Sequence, residues 1–376
     1  MNKKILFLTT SHHYADDRIF YHQARELVGK GFTVKICSLS SDFQGEIDGI
    51  TIEACTIIDK SIKEKRRFLE EICQSFHPHT IICSEPLAVV AASNYKKKSK
   101  VNIVYDITEW YPSNSMFSKH IFLLRPFYTL FYTLIQIYAG FLSDRFIFGE
   151  KTKRFPLSYL FWYKKQIILP YYPSKNYTHE SFVPLQKDKI CLAYTGQLSK
   201  EKGIGNFFRV LNELHKIRPE LQVSALIIGK PISSEDEVYF KKLIKSSSVK
   251  DIKISEPVDF RNFTQSFSEA HLCFDLRELN FENHHSLPIK LFYYMSSAKP
   301  VIYSRLKAIK DHINISGFGY LVNPEDSDEI CKHIIGYLEN PGLYERHALN
   351  ARRHFEKKCN WEAINQDFVD FINMSR

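Results

Sequence analysis

The feature that most constrains the fold is a β-α-β rhythm that runs, stops and starts again. "KILFLTT" (4–10) reads as a strand, and a helix follows from about Asp17 to Lys30, ended by the "GKGF" turn. "TVKICSL" (33–39), "ITIEACTI", "TIICS" and "NIVYDI" (102–107) read as further strands, with helical segments around 62–76 and 85–95. The rhythm breaks in "ILPYYPSKNYTHESFVPLQKDK" (168–189), which is rich in Pro, Tyr and Ser and has no period. It restarts with "ICLAYTG", "QVSALIIG", "DIKISEP", "LCFDLRE" and "PVIYS" as strands separated by helical stretches. Short β-rich runs alternating with helical segments specify a parallel sheet covered on both faces. At 376 residues the chain also exceeds what one core usually serves. The expectation is α/β with two doubly wound, Rossmann-like domains, ligands lying at the carboxyl ends of the strands and in the cleft between the sheets.

Composition narrows the partners. Hydrophobic residues make up 44% and charged residues 25%, a globular balance. A net charge of +9 on a chain this long, without a dense Lys/Arg array, suits anionic small molecules or a lipid surface rather than nucleic acid. The eight cysteines form no CxxC pair and sit in apolar runs, which predicts buried thiols. The apolar stretch after Met1 is too short for a signal peptide, so the expected location is cytoplasmic. Residues 120–148 are aromatic and uncharged between Pro126 and Ser143. They are expected to form a core helix leading into "DRFIF". The competing reading is a peripheral position on the inner membrane face, with contact through 120–165.

The first strand ends in "SHHYADDRIF", not in G-x-G-x-x-G, which counts against a dinucleotide dehydrogenase. His12 and His13 stand at that carboxyl end as candidate catalytic groups. Asp16 or Asp17 is expected to cap the next helix, with Arg18 paired to them. "YDITEWYPS" places Asp106, Thr108 and Glu109 just past another strand, where acids serve hydroxyl binding or proton transfer. In "YTGQLSKEKG", Lys202 precedes a helix start, an electrostatic misfit unless an anion sits there too. Gly229 and Lys230 end a second strand in the same manner. "NHHSLPIKLFYYM" reads as a loop and a Pro-started helix, an anion site by its free amides. No metal constellation stands out: Asp326 and Asp328 look like a helix cap.

Four blocks in order resemble the GT-B fold retaining glycosyltransferases of the group 1 (family 4) class: "DDRIFYHQARELVGKGFTV", "YTGQLSKEKGIGNFFRVL", "HLCFDLRE…SLPIKLFYYMSSAKPVI" and "NWEAINQDFVDFI". The resemblance implies an acceptor-side domain 1–168, a linker 169–188, a nucleotide-sugar domain 189–356 and a last helix, 357–376, returning to the first domain. It implies a nucleotide-sugar donor, a glycan or lipid-linked glycan acceptor, and neither metal nor cofactor. The diphosphate would rest on the helix starting near Leu287–Pro288, with Lys202 opposite and Lys290 assisting. Gly196, Gln197, Gly229, Lys230, Glu282, His285, Ser286 and Tyr293 would complete the donor site. His12, His13, Thr108 and Glu109 would face the acceptor. The chain departs from the class at His285 and Tyr293, where glutamates are usual, at Gln197 in place of Arg, and at Thr108. Those departures motivate one alternative, a non-catalytic nucleotide-binding protein of a glycan assembly complex. A nucleotide-sugar 2-epimerase is the other, and the missing carboxylates count against it.

Overall fold

The structure, a computed structural model, describes residues 3–109, 113, 116 and 121–374. The chain divides into two compact units, Met1–Tyr171 with Ile364–Arg376, and Tyr172–Ala363.

The first unit holds an eight-stranded sheet of β1 (Lys4–Thr9), β2 (Thr33–Ser38), β3 (Phe43–Ile47), β4 (Ile50–Ala54), β5 (Thr80–Cys83), β6 (Asn102–Ile107), β7 (Arg145–Phe148) and β8 (Gln166–Ile168). Their spatial order is β3-β4-β2-β1-β5-β6-β7-β8. All pairings are parallel except the β3–β4 hairpin. The central strands are apolar on both faces because helices cover both, as in Ile5–Leu8 and Thr80–Cys83. Ser61 and Glu64 form a capping box at Ile62–Phe76, and Pro86 opens Pro86–Lys96, so these helices start where the sequence supplies caps. The chain runs from β1 outwards to β2, then resumes at β5 on the other side of β1. The reversal point therefore lies between β1 and β5. The closing helix, Asn365–Asn373, belongs to this unit: Asn365 donates to Glu26 at 2.9 Å and Arg145 to the Phe371 carbonyl at 2.8 Å.

The second unit holds β9 (Lys189–Thr195), β10 (Gln222–Ile228), β11 (Asp251–Ser255), β12 (Leu272–Asp275), β13 (Val301–Ser304) and β14 (Gly319–Val322), all parallel, in the order β11-β10-β9-β12-β13-β14. Here the reversal lies between β9 and β12. Each unit has its own apolar core, one around Leu6, Ile81 and Phe146, the other around Tyr194, Phe207 and Phe274.

The expected core helix in 120–148 is corrected. The helix spans Arg125–Leu142, and only Gln136, Ala139 and Gly140 are buried along it. Its last turns pack through Gly140, where a Cβ would come within 2.7 Å of Leu157. The other face carries Phe127, Leu130, Phe131 and Leu134 into solvent. A second correction concerns "LPIKLFYYM": the helix is Lys290–Ser296, and Leu287 and Pro288 precede it, with the Leu291 amide donating to the Pro288 carbonyl.

Candidate functional site

Both sheets place chemistry at their reversal points, where diverging loops leave a crevice at the carboxyl ends of the strands. In the second unit, β9 ends at Thr195 and β12 at Asp275. The Asp275 side chain is 1% exposed. Its carboxylate accepts two hydrogen bonds from Arg277, 2.7 and 2.6 Å, and stands 3.2 Å from the Lys290 ammonium. Lys290 also donates to the Thr195 carbonyl. Burial opposes the Asp275 charge, but Arg277 and Lys290 overcome it and hold the carboxyl well below its usual range. Burial pushes Lys290 down, Asp275 pulls it back, and Arg277 and Lys202 push it down further. Lys202 completes the group, 2.9 Å from Glu201 and 3.3 Å from the Asn283 amide oxygen. Three cations thus converge on a loop–strand junction where Asp275 lies between Arg277 and Lys290 and Glu201 pairs with Lys202. Two carboxylates against three cations leave one positive charge, an arrangement suited to an anion.

The backbone is shaped for close approach. The Tyr194 hydroxyl donates to the carbonyls of Gln197 (2.8 Å) and Lys202 (2.9 Å), pinning the loop after β9. Gly203 caps the Ile204–Ile217 helix at φ +86°, and a Cβ there would fall 1.9 Å from the Leu276 carbonyl oxygen. A side chain at Gly229 would strike the Gly196 carbonyl, and one at Gly196 would reach the Lys290 ammonium. These glycines let β9, β10 and β12 end side by side.

The sequence-predicted donor residues separate into groups. Gly196, Gly229, Lys202 and Lys290 come together. Gln197 contributes its carbonyl to the Tyr194 contact, and Lys230 is exposed, its carbonyl accepting from the Leu198 amide at 3.1 Å. Glu282 lies in the short helix Phe281–His284 and His285 follows it, its ring tilted at 38° to Phe281 with the centroids 4.3 Å apart. Ser286 donates through its amide to the Asn283 carbonyl. Leu287 is half-buried and Pro288 buried. Tyr293 is 4% exposed, its ring edge-on to Phe263 at 5.1 Å. Sequence reasoning missed Asp275, Arg277 and Asn283. The signal for the first two was the Asp-x-Arg spacing at a predicted strand end, since residues two apart on a strand share a face.

In the first unit, the loop after β1 folds around Glu85, which follows β5. Glu85 accepts from the Thr9 hydroxyl (3.0 Å), the Thr10 amide (2.8 Å) and both the amide and hydroxyl of Ser11 (3.2 and 2.6 Å). His12 lies beside this nest, Nδ1 3.3 Å from Asp16 and Nε2 3.8 Å from Glu85. Burial disfavours its charge, but the Asp16 hydrogen bond and the carboxylates of Glu85, Asp16 and Glu109 outweigh it and push the imidazole up to about 9. His12 is therefore a cation at neutral pH. His13 is exposed, its ring tilted at 34° to Tyr14 with the centroids 4.4 Å apart. Glu109 is exposed and Thr108 half-buried, with its carbonyl accepting from Lys153. Asp16 caps the helix as expected, but the expected pairing of Arg18 with its neighbours is corrected. The Arg18 guanidinium reaches Asp106 at 3.0 and 3.3 Å, and Gln23 donates to the same carboxylate at 2.8 Å. Asp106 is consequently a buried structural anchor. Among the described residues, no group of three or more His, Cys, Asp or Glu is arranged to hold a metal ion.

Residues 189–340 match the family model described as Glycosyl transferases group 1. An uncharacterized glycosyltransferase of Methanocaldococcus jannaschii is 25% identical over 177 residues, 47% of this chain and 43% of that protein, so the aligned segment spans less than half of the relative's length. Sucrose-phosphate synthase of Thermosynechococcus elongatus superposes over 99% of this chain and 98% of its own, with a TM-score of 0.74 at 14% identity. Anabaena HepE, in complex with UDP and glucose, superposes over 100% of both chains at 0.73 and 14%. WaaG, a glycosyltransferase involved in lipopolysaccharide biosynthesis, covers 99% and 100% at 0.70 and 13%. The chain has the GT-B fold of two doubly wound α/β domains, and its residues 189–340 match the group 1 glycosyl transferases.

Proposed function

We propose that this protein is a group 1 glycosyltransferase that moves a sugar from a nucleoside diphosphate sugar to a glycan or lipid-linked glycan acceptor, with retention of configuration, in polysaccharide assembly. One observation carries the reading: Lys202, Arg277 and Lys290 surround the reversal point of the second sheet, inside the segment that matches the family. Cleavage of the sugar–phosphate bond leaves charge on the nucleoside diphosphate. Fixed cations at that position favour the transition state over the ground state. They supply charge stabilisation without a metal ion. Arg277 provides the cationic guanidinium that the Gln197 departure removes from the loop.

In the first unit, His12 is an imidazolium and acts by charge and orientation, not as a proton acceptor. Glu85 is saturated by donors from its own loop. Glu109, exposed and electrostatically coupled to His12, is the carboxylate left to meet an acceptor hydroxyl.

A thermal-shift panel of UDP, GDP, ADP, CDP and dTDP tests the donor site, with UDP first because HepE binds it. A ligand at 100 times its dissociation constant adds about 2.7 kcal/mol to stability. One nucleotide giving a clear shift that Lys202→Ala or Arg277→Ala removes supports the reading. Turnover of the matching sugar conjugate, with the product's anomeric configuration read by NMR, completes it. No shift with any nucleotide refutes it. A shift without turnover on any acceptor favours the non-catalytic alternative.

A further inference from the structure

The Arg125–Leu142 helix inverts the usual amphipathic rule. Its solvent side carries Phe127, Leu130, Phe131, Leu134, Tyr138 and Phe141, at spacings of three and four, and Phe127 is 78% exposed. Two of its hydroxyls are bonded within the helix itself. Thr129 and Thr133 donate their hydroxyls to the carbonyls of Arg125 (2.9 Å) and Thr129 (2.7 Å). The free carbonyls of its last turn are closed by one ammonium: Lys164 donates to Gly140, Phe141 and Ser143 at 2.8, 2.9 and 2.6 Å. Satisfying backbone and hydroxyl groups internally is what an apolar medium demands and water does not. Beside the helix, held through Gly140 and Leu157, Tyr159, Leu160 and Trp162 are also exposed, the indole at 77%.

The rim has one sign. Over residues 121–165, basic residues outnumber acidic ones seven to two, and all the basic ones except Arg145, which is buried against the closing helix, reach the surface at least in part. Both acids are engaged by lysines, Asp144 with Lys96 at 2.5 Å and Glu150 with Lys153 at 2.7 Å. Lys151 and Lys165 are exposed, as are Lys97, Lys98 and Lys100 just past Lys96. Among the described residues no helix is long and apolar enough to cross a membrane.

We propose that this face lies in the plane of a lipid bilayer carrying anionic headgroups, with the helix side chains in the acyl boundary, Trp162 and the tyrosines at headgroup depth, and the lysines against the phosphates. A second copy meeting this face would set like-charged lysine rims against each other, whereas anionic headgroups complement them. The proposal concerns where the protein sits, not what it transfers, and stands apart from the donor site.

Co-sedimentation of the full chain with phosphatidylcholine vesicles, with and without phosphatidylglycerol, tests it. The protein is expected to bind the mixed vesicles, more weakly at high salt, with a blue shift in tryptophan emission that Trp162→Phe reduces. Phe127→Ser, Phe131→Ser and Leu134→Ser together should lower partitioning at least about tenfold. Lys151→Glu with Lys165→Glu should lower it about fivefold per charge removed, on anionic vesicles only. All substituted side chains are exposed or lie on the open face, and unchanged melting points establish that the variants fold. Two results overturn the proposal. One is no binding of the intact protein to either vesicle. The other is binding unaffected by the triple substitution, with a lipid-free dimer that the same substitution makes monomeric, which would assign the face to a second copy.

Discussion

Asp275→Asn is the sharpest probe of the cationic site because it keeps shape and removes one charge. In the native protein the carboxylate accepts from Arg277 at 2.6 and 2.7 Å and meets Lys290 at 3.2 Å, with its side chain 1% exposed. Breaking a buried ion pair by neutralising one partner costs about 3–5 kcal/mol, since the remaining charges stay buried without compensation. The asparagine carbonyl still accepts one hydrogen bond, which places the loss near about 3 kcal/mol. For a unit of this size that is a drop of about 6–12 °C in melting temperature. The pH dependence has a definite sign. The folded pKa of Asp275 is depressed below its ordinary 3.8, so its contribution is present above that value and is lost as pH falls through the folded pKa. The gap between native protein and variant should therefore be constant from pH 7 to about 5 and close only in strong acid. Paired thermal melts at pH 7, 5 and 3 measure it. Equal melting points at pH 7, or a gap already closing between pH 7 and 5, would refute the account of Asp275 as the buried counter-ion.

Gly203→Ala should destabilise the second unit by more than about 1 kcal/mol in urea unfolding, because φ is +86° and the new Cβ lands 1.9 Å from the Leu276 carbonyl oxygen. Lys202→Ala, at a half-buried side chain, should weaken nucleoside diphosphate binding roughly 10- to 100-fold by calorimetry while leaving the melting point of the free protein nearly unchanged. His12 has its folded pKa raised from 6.5 to about 9, so its stabilising charge is fully present below 6.5 and lost as pH rises through 9. His12→Gln should accordingly reduce the loss of stability seen in the native protein between pH 7 and 10, read by urea melts, and transfer activity of the native protein should decline over the same range.

Much of the frame was legible in the chain. The strand at "KILFLTT", the break at 168–189 and the restart at "ICLAYTG" are written in periodicity, which follows from side chains alternating or recurring along a single element. The positions of Gly196 and Gly229 at strand ends and of Lys202 before a helix were legible because strand ends and helix starts are local features. Arg277 was not, since its role depends on Asp275 being buried against Lys290, and that is set by the β9–β12 adjacency. Arg18 shows the same limit. The nearest acids in sequence attract the eye, but the one it binds is 88 residues away, brought close by β6.

The sequence by itself determined the two alternating α/β halves and the basic loop after β9. Those properties reside in short stretches, where propensity and pattern act without long-range help. Only the tertiary structure decided which residues meet at each reversal point, that His12 lies among carboxylates and carries charge, that Tyr293 packs against Phe263, and that the Arg125–Leu142 helix turns its apolar side outward. The reason is physical: burial and net charge at a point sum contributions from strands distant in the chain, and an apolar run carries no mark of which way it will face until its neighbours are in place.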